Sequence, residues 1–205
     1  MVRFLYLLCI SIFLKFSTSA QSDTTTFAYK GILKAFGTIA PGYMLSTKES
    51  YDYLSGALEY YPEKRVGIRG DVFWLAGAQQ NNSYFSANNS IFFGGTYHFQ
   101  SDRFDFYLGL EPGVNFTKIG TYLNAVNAQG NNPQVALSSS QNFQIVPVIS
   151  PLSGATFYFS RFFNFFVEVR YLQATFYAYP DGRNIPLNEI RVSAGLGLHL
   201  NVFHP

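Results

Sequence analysis

The chain has 205 residues, of which 48% are hydrophobic, 19% aromatic and only 13% charged. That composition excludes a disordered chain, and a formal charge of +2 argues against a nucleic-acid binder. A single cysteine, Cys9, excludes a disulfide framework and a cysteine-based zinc site.

The chain opens with Arg3, an apolar run FLYLLCISIFL over residues 4–14, and the small residues FSTSA. This reads as a secretory signal over residues 1–20, cleaved after Ala20 and too short to span a bilayer. Cys9 sits inside the apolar run, without the small neighbours of a lipid-modified cysteine. Loss of Arg3 and Lys15 brings the basic count of 14 down to the acidic count of 12. Residues 21–205 then remain as one domain with no net charge and no thiol, which suits an exported protein.

From there the dominant signal is alternation, the period of a strand with two unlike faces. Eight segments are predicted, near residues 29–45, 51–61, 65–76, 90–99, 104–115, 143–159, 164–177 and 188–203. In the third, Val66, Ile68, Val72 and Trp74 oppose Arg65, Arg69 and Asp71. In the fifth, Phe104, Phe106, Leu108 and Leu110 oppose Asp105, Tyr107, Gly109 and Glu111. The seventh sets Phe165, Val167, Val169 and Tyr171 against Phe166, Glu168 and Arg170. The eighth is the clearest. Ile190, Val192, Ala194, Leu196, Leu198, Leu200 and Val202 share one parity, and Glu189, Arg191, Ser193, Gly195, Gly197, His199 and Asn201 the other.

Connections alternate in length. Residues 62–64, 100–103 and 160–163 are tight turns. Residues 46–50, 77–89, 116–142 and 178–187 are longer, polar loops. The longest is uncharged over NAVNAQGNNPQVALSSSQN and resembles a linker, but like strands on both sides make it a loop of one sheet.

Two barrels fit this pattern. A soluble barrel buries its apolar parity, and a membrane barrel turns it outward. Three observations favour the membrane form. The polar parity carries Glu59, Arg69, Asp71, Glu111, Glu168, Arg170, Glu189 and Arg191 but little lysine, which suits pairing in an enclosed space. Gly37, Gly67, Gly94, Gly109, Gly113, Gly195 and Gly197 lie within strands and leave room for large inward side chains. Aromatics gather near strand ends (Tyr60, Tyr61, Trp74, Tyr97, Phe99, Phe104, Phe159, Tyr177 and Phe203), as in interfacial girdles. The expected fold is therefore all-β: an eight-stranded antiparallel up-and-down transmembrane barrel. An even strand count puts both ends on one side, so the tight turns face the periplasm and the long loops face outward.

The segments GTIAPGYMLS (37–46), YLSGALEYYPEKRVGIRGDVFW (53–74), FYLGLEPGVNF (106–116) and the last strand resemble the small outer-membrane barrels of the OmpA-barrel and OmpX kind. Their flavour is similar to the outer-membrane β-barrel proteins of Bacteroidetes. The resemblance implies a bacterial outer-membrane location, contact with outer-membrane lipid and insertion by the barrel-assembly machinery. It also implies an assembly signal at the chain's end, carried by Gly197, Leu200, Val202 and Phe203. Leu196 stands where that signal is usually polar, and His204 and Pro205 follow the aromatic Phe203.

Chemistry is thinner. Centring the second turn on Glu63 sets Glu59 opposite Gly67, with Arg69 as a diagonal neighbour on the same face. Such inward charges read either as a polar plug or as an ion path. Eight strands leave a lumen just wide enough for side chains, which favours the plug. His98 and His199 fall on the inward parity without a third ligand for a metal. Ser138, Ser139 and Ser140 have no matching acid and base, and no histidine lies in an outer loop. No catalytic residue, metal or cofactor is expected. The acceptor patterns at Asn81, Asn88 and Asn115 carry no meaning in a bacterial barrel. Asp23-Thr24-Thr25 resembles a Bacteroidetes O-glycosylation motif, though a flexible polar start explains it equally. The reading is a non-enzymatic outer-membrane barrel with a structural or interaction role. Alternatives are a narrow pore or small-ligand barrel, and an accessory subunit of a larger outer-membrane assembly or transport complex with an outer-membrane protein partner.

Overall fold

The computed structural model describes residues 30–79, 83–119, 123–124, 134–135, 143–160, 162–178 and 183–201. The predicted signal, Ser138 to Ser140, Val202 and Phe203 lie outside them. Eight long strands form the wall: β1 (Ile32–Met44), β2 (Glu49–Glu63), β3 (Val66–Ala78), β4 (Phe85–Ser101), β5 (Phe104–Ile119), β6 (Gln144–Tyr158), β7 (Phe163–Ala178) and β8 (Glu189–Asn201). Each pairs antiparallel with its sequence neighbours, and β8 pairs with β1 to close the ring. The expected closed eight-stranded antiparallel barrel is the observed fold.

The parity is also as expected. On β8, Leu198 is 45% exposed on the outside while His199 is 5% exposed on the inside. Ile68, Val72, Leu108, Leu110, Val167 and Leu196 are exposed, and Arg69, Asp71, Glu111, Glu168 and Arg170 are buried between them in sequence. A soluble barrel would invert this pattern.

Several strands run longer than alternation suggested. β4 starts at Phe85 and β5 runs to Ile119, because the polar stretch SANNS pairs with β5. Asn88 looks like a loop residue, yet it points inward. Its Nδ2 donates to the Tyr53 hydroxyl at 3.0 Å and its Oδ1 accepts from Thr117 at 3.2 Å. A polar side chain fits a strand when its partners wait inside the wall. Beyond β5, Leu123–Asn124 pairs with Gln134–Val135 within the expected long loop. Arg183–Pro186 pairs with β7 and shortens the final loop.

The tight turns have local causes. Asp102 takes a left-handed φ of 49° between β4 and β5; between β1 and β2, where residues 46–50 read as a longer loop, only residues 45–48 connect the strands, with Lys48 at a φ of 57°. The Ser160 hydroxyl accepts from the N–H of Phe163 at 2.9 Å between β6 and β7. Among the girdle aromatics, Trp74, Tyr97, Phe99, Phe104 and Phe159 face outward. Tyr61 does not. Tyr60 and Tyr61 are successive on one strand and must point to opposite faces, and Tyr61 is fully buried in the lumen.

Candidate functional site

The lumen is the site. Its contents fall into layers, because inward residues on neighbouring strands come to similar heights. At the tight-turn end, Lys34 on β1 donates to Asp105 on β5 at 2.8 Å and to the Tyr61 hydroxyl on β2 at 2.5 Å. His98 on β4 lies between two carboxylates, with Nδ1 at 3.0 Å from Asp105 and Nε2 at 3.1 Å from Glu59. Thr96 donates to Glu59 at 2.6 Å, and Tyr158 on β6 donates to Asp105 at 3.2 Å. A side chain at position 67 would collide with Thr96 and Glu59, so only glycine leaves this layer its space.

The middle layer joins β3, β5 and β7. Arg69 donates to Asp71 through Nε at 2.9 Å and Nη2 at 2.8 Å, and its Nη1 lies 2.6 Å from Glu168. Arg170 reaches Glu111 at 3.0 Å, Glu168 at 3.2 Å and Asp71 at 3.3 Å. The Tyr107 hydroxyl donates to Glu168 at 2.9 Å. Gly154 leaves room for that ring, since a Cβ there would meet the phenol. Above, Arg191 bonds Glu189 at 2.9 Å and the Ser90 hydroxyl at 3.0 Å, and its guanidinium lies 3.9 Å from the Tyr53 ring centre. All eight predicted interior charges therefore face the lumen and take part in these layers.

Two expectations need correction. The β2–β3 turn is centred on Lys64–Arg65, with Glu63 paired to Val66, and a one-residue irregularity follows between Tyr60 and Glu63, so Glu59 stands directly opposite Arg69 rather than Gly67. The two side chains nevertheless part, Arg69 turning to Asp71 and Glu168, and Glu59 to His98 and Thr96. The lumen is also not wholly polar. Toward the loop end it holds an apolar cluster that includes Met44, Phe85, Phe92, Val148, Leu172 and Leu187. There the alternation reverses: Leu172 and Ala174 point in while Gln173 and Thr175 point out. This reversal is visible in the sequence as a change of which parity is apolar.

Sequence reasoning missed Lys34, Tyr61 and Tyr158, and left Asp105 out of the charge network. Lys34 lies between Ile32 and Phe36 on the inward parity, so β1 lacks the clean polar face that marks β8. His199 is inward as expected, but it contacts Asn164 and the Tyr158 ring rather than His98. Among the described residues no three His, Cys, Asp or Glu side chains gather to hold a metal. Thr96, His98 and Asp105 follow the order hydroxyl, imidazole, carboxylate. The Thr96 hydroxyl is committed to Glu59, and all four groups are at most 4% exposed, so the arrangement offers a substrate no approach. At the chain's end, Gly197 is buried against Phe36 and Asn164, while Leu200 faces outward.

No family model and no curated protein matches the chain. Solved structures do. Neisserial surface protein A is 14% identical, with a TM-score of 0.57 over 85% of this chain and 99% of that one. OprG of Pseudomonas aeruginosa is 11% identical, with a TM-score of 0.56 over 85% and 98%. The N-terminal barrel domain of OprF from the same organism is 11% identical, with a TM-score of 0.52 over 84% and 99%. At these identities the likeness is one of fold: the chain has the closed eight-stranded barrel of small outer-membrane proteins.

Proposed function

We propose that residues 21–205 form a non-enzymatic barrel of the bacterial outer membrane, exported by the signal at residues 1–20. Its role is a rigid anchor whose outer loops contact a partner, a surface or a ligand. The observation that carries this reading is the lumen, where ion pairs and hydrogen bonds tie all eight strands together. The apolar exterior supports the membrane setting. Backbone groups in lipid need internal partners, and a closed antiparallel barrel supplies them. The outer-membrane neighbours in fold agree with that location. Pull-down of the full-length protein in mild detergent, followed by mass spectrometry, tests the role. Recovery of the barrel alone is expected of a free-standing anchor, and a stoichiometric large outer-membrane protein would replace that reading with an accessory subunit.

The plug makes its own prediction. Buried ion pairs joining β3, β5 and β7 cross the middle of the lumen. Purified protein in planar bilayers should therefore show no large, stable openings. Reproducible ion-selective openings abolished by Arg191→Ala would replace the plug with a narrow pore.

A further inference from the structure

A buried cation needs a carboxylate, whereas an exposed one can be left to water or to an outside partner. Among the described residues the buried cations Lys34, Arg69, Arg170 and Arg191 each meet an acid. Three exposed cations at the tight-turn rim do not. Lys64 and Arg65 make the turn between β2 and β3, and Arg103 stands in the turn between β4 and β5. Of the acids beside them, Glu63 is taken by Lys30 at 3.2 Å, which leaves Asp102. Lys30, Lys64, Arg65 and Arg103 against Glu63 and Asp102 give these turns an excess of positive charge. Their backbones are tied to the wall. The Lys64 carbonyl accepts from Gln100 Nε2 at 2.9 Å, the Arg65 carbonyl from the His98 N–H at 2.9 Å, and the Arg103 carbonyl from the Tyr158 N–H at 2.8 Å. Strand β4 joins the two turns, pairing Tyr97 with Val66 on one side and Ser101 with Phe104 on the other. The three cations therefore stand along one arc of the barrel's edge.

Their depth follows from the residues beside them. Arg65 directly precedes Val66, which pairs with Tyr97, and Arg103 directly precedes Phe104. Tyr97, Phe99, Phe104, Phe159 and Phe163 all face outward at this end. Aromatic rings turned toward lipid gather where hydrocarbon gives way to headgroups. One residue advances a strand by about 3.3 Å, so both arginines lie just beyond that boundary. An arginine or lysine there keeps its stem along apolar surface and its charge among the headgroups. The guanidinium fork also matches the oxygens of a phosphate. A soluble acidic partner could meet the same charges, but it would gain nothing from the aromatic belt directly below them.

We propose that Lys64, Arg65 and Arg103 form a docking arc for the headgroups of anionic phospholipids in the leaflet at the tight-turn end. This rests on the membrane reading above. The test places a fluorophore on a single cysteine, Phe99→Cys beside the arc or Tyr43→Cys at the loop end, in the mature protein. Cys9, the chain's one cysteine, lies in the predicted signal and does not interfere. Each derivative is folded into phosphatidylcholine vesicles holding a minor fraction of brominated lipid, either phosphatidylglycerol or phosphatidylcholine. Brominated phosphatidylglycerol should quench position 99 more strongly than brominated phosphatidylcholine, while the two should quench position 43 alike. The preference at 99 should fall in high salt. Lys64→Gln, Arg65→Gln or Arg103→Gln alone should lower it roughly fivefold, and the triple variant should abolish it. Gel mobility without boiling checks that each variant is folded. Equal quenching by the two lipids at 99, or a preference that survives the triple substitution, overturns the docking arc. Equal quenching together with binding of polyglutamate to the barrel in neutral vesicles would assign the arc to a soluble acidic partner instead. Absence of quenching by either lipid at both positions overturns the membrane reading itself, and the arc with it.

Discussion

Arg69→Ala should unfold the barrel at distinctly lower urea, with a loss of about 3–5 kcal/mol, the range for removing one partner of a buried ion pair. The guanidinium is 3% exposed and serves Asp71 with two hydrogen bonds, Glu168 with one close ion pair, and Glu111 at 3.8 Å. Alanine would leave three carboxylates around Arg170 alone, in a space that water reaches poorly. Arg170 cannot replace the lost partner, since it already contacts all three. Equilibrium unfolding in lipid vesicles, read by tryptophan fluorescence from Trp74 and by gel mobility without boiling, measures the effect. A cycle with Glu168→Gln separates pairing from packing. If the two residues act as a unit, the double variant should lose clearly less than the sum of the singles. Additive losses would mean that Arg69 contributes only bulk, and the cross-lumen network would not be what braces the wall.

Leu198→Arg should damage assembly far more than His199→Arg. The two sites are adjacent on β8, so depth and distance from the chain end are nearly matched. Leu198 faces outward and His199 inward. A charge toward hydrocarbon costs roughly 2–4 kcal/mol near the bilayer midplane and less near its edges. At position 199 the new side chain would stay inside, near Asn164 and Tyr158, and crowding would be its main penalty. Folded yield in vesicles ranks the two variants. Orientation is then read directly from single-cysteine derivatives carrying a fluorophore. A probe at 198 should be quenched by brominated lipid, and a cysteine there should resist a water-soluble maleimide. Quenching at 199 but not at 198 would mean that the barrel sits inside out relative to this account.

Much of the architecture was legible in the chain. A strand repeats every two residues, so parity can be read without knowing any neighbour. Segments such as β8, with six apolar residues on one parity, declare both the strand and its faces. Choosing which face is inner needed only the residue types, since paired arginine and glutamate suit an enclosed space and leucine and valine suit lipid. Where both parities carried similar residues, the signal failed. β1 hid Lys34 between Ile32 and Phe36, and the SANNS stretch of β4 passed for a loop because its polar groups find partners only inside the closed wall.

The sequence by itself determined the number of strands, their antiparallel order and the direction of each clear face, because these follow from local alternation and turn length. Only the tertiary structure decided who meets whom across the lumen. Lys34 and Asp105 lie 71 positions apart, and their contact depends on the stagger that closes β8 onto β1. A turn centred on Lys64–Arg65 together with one extra residue in β2 set Glu59 opposite Arg69, yet the partners of both came from strands across the barrel.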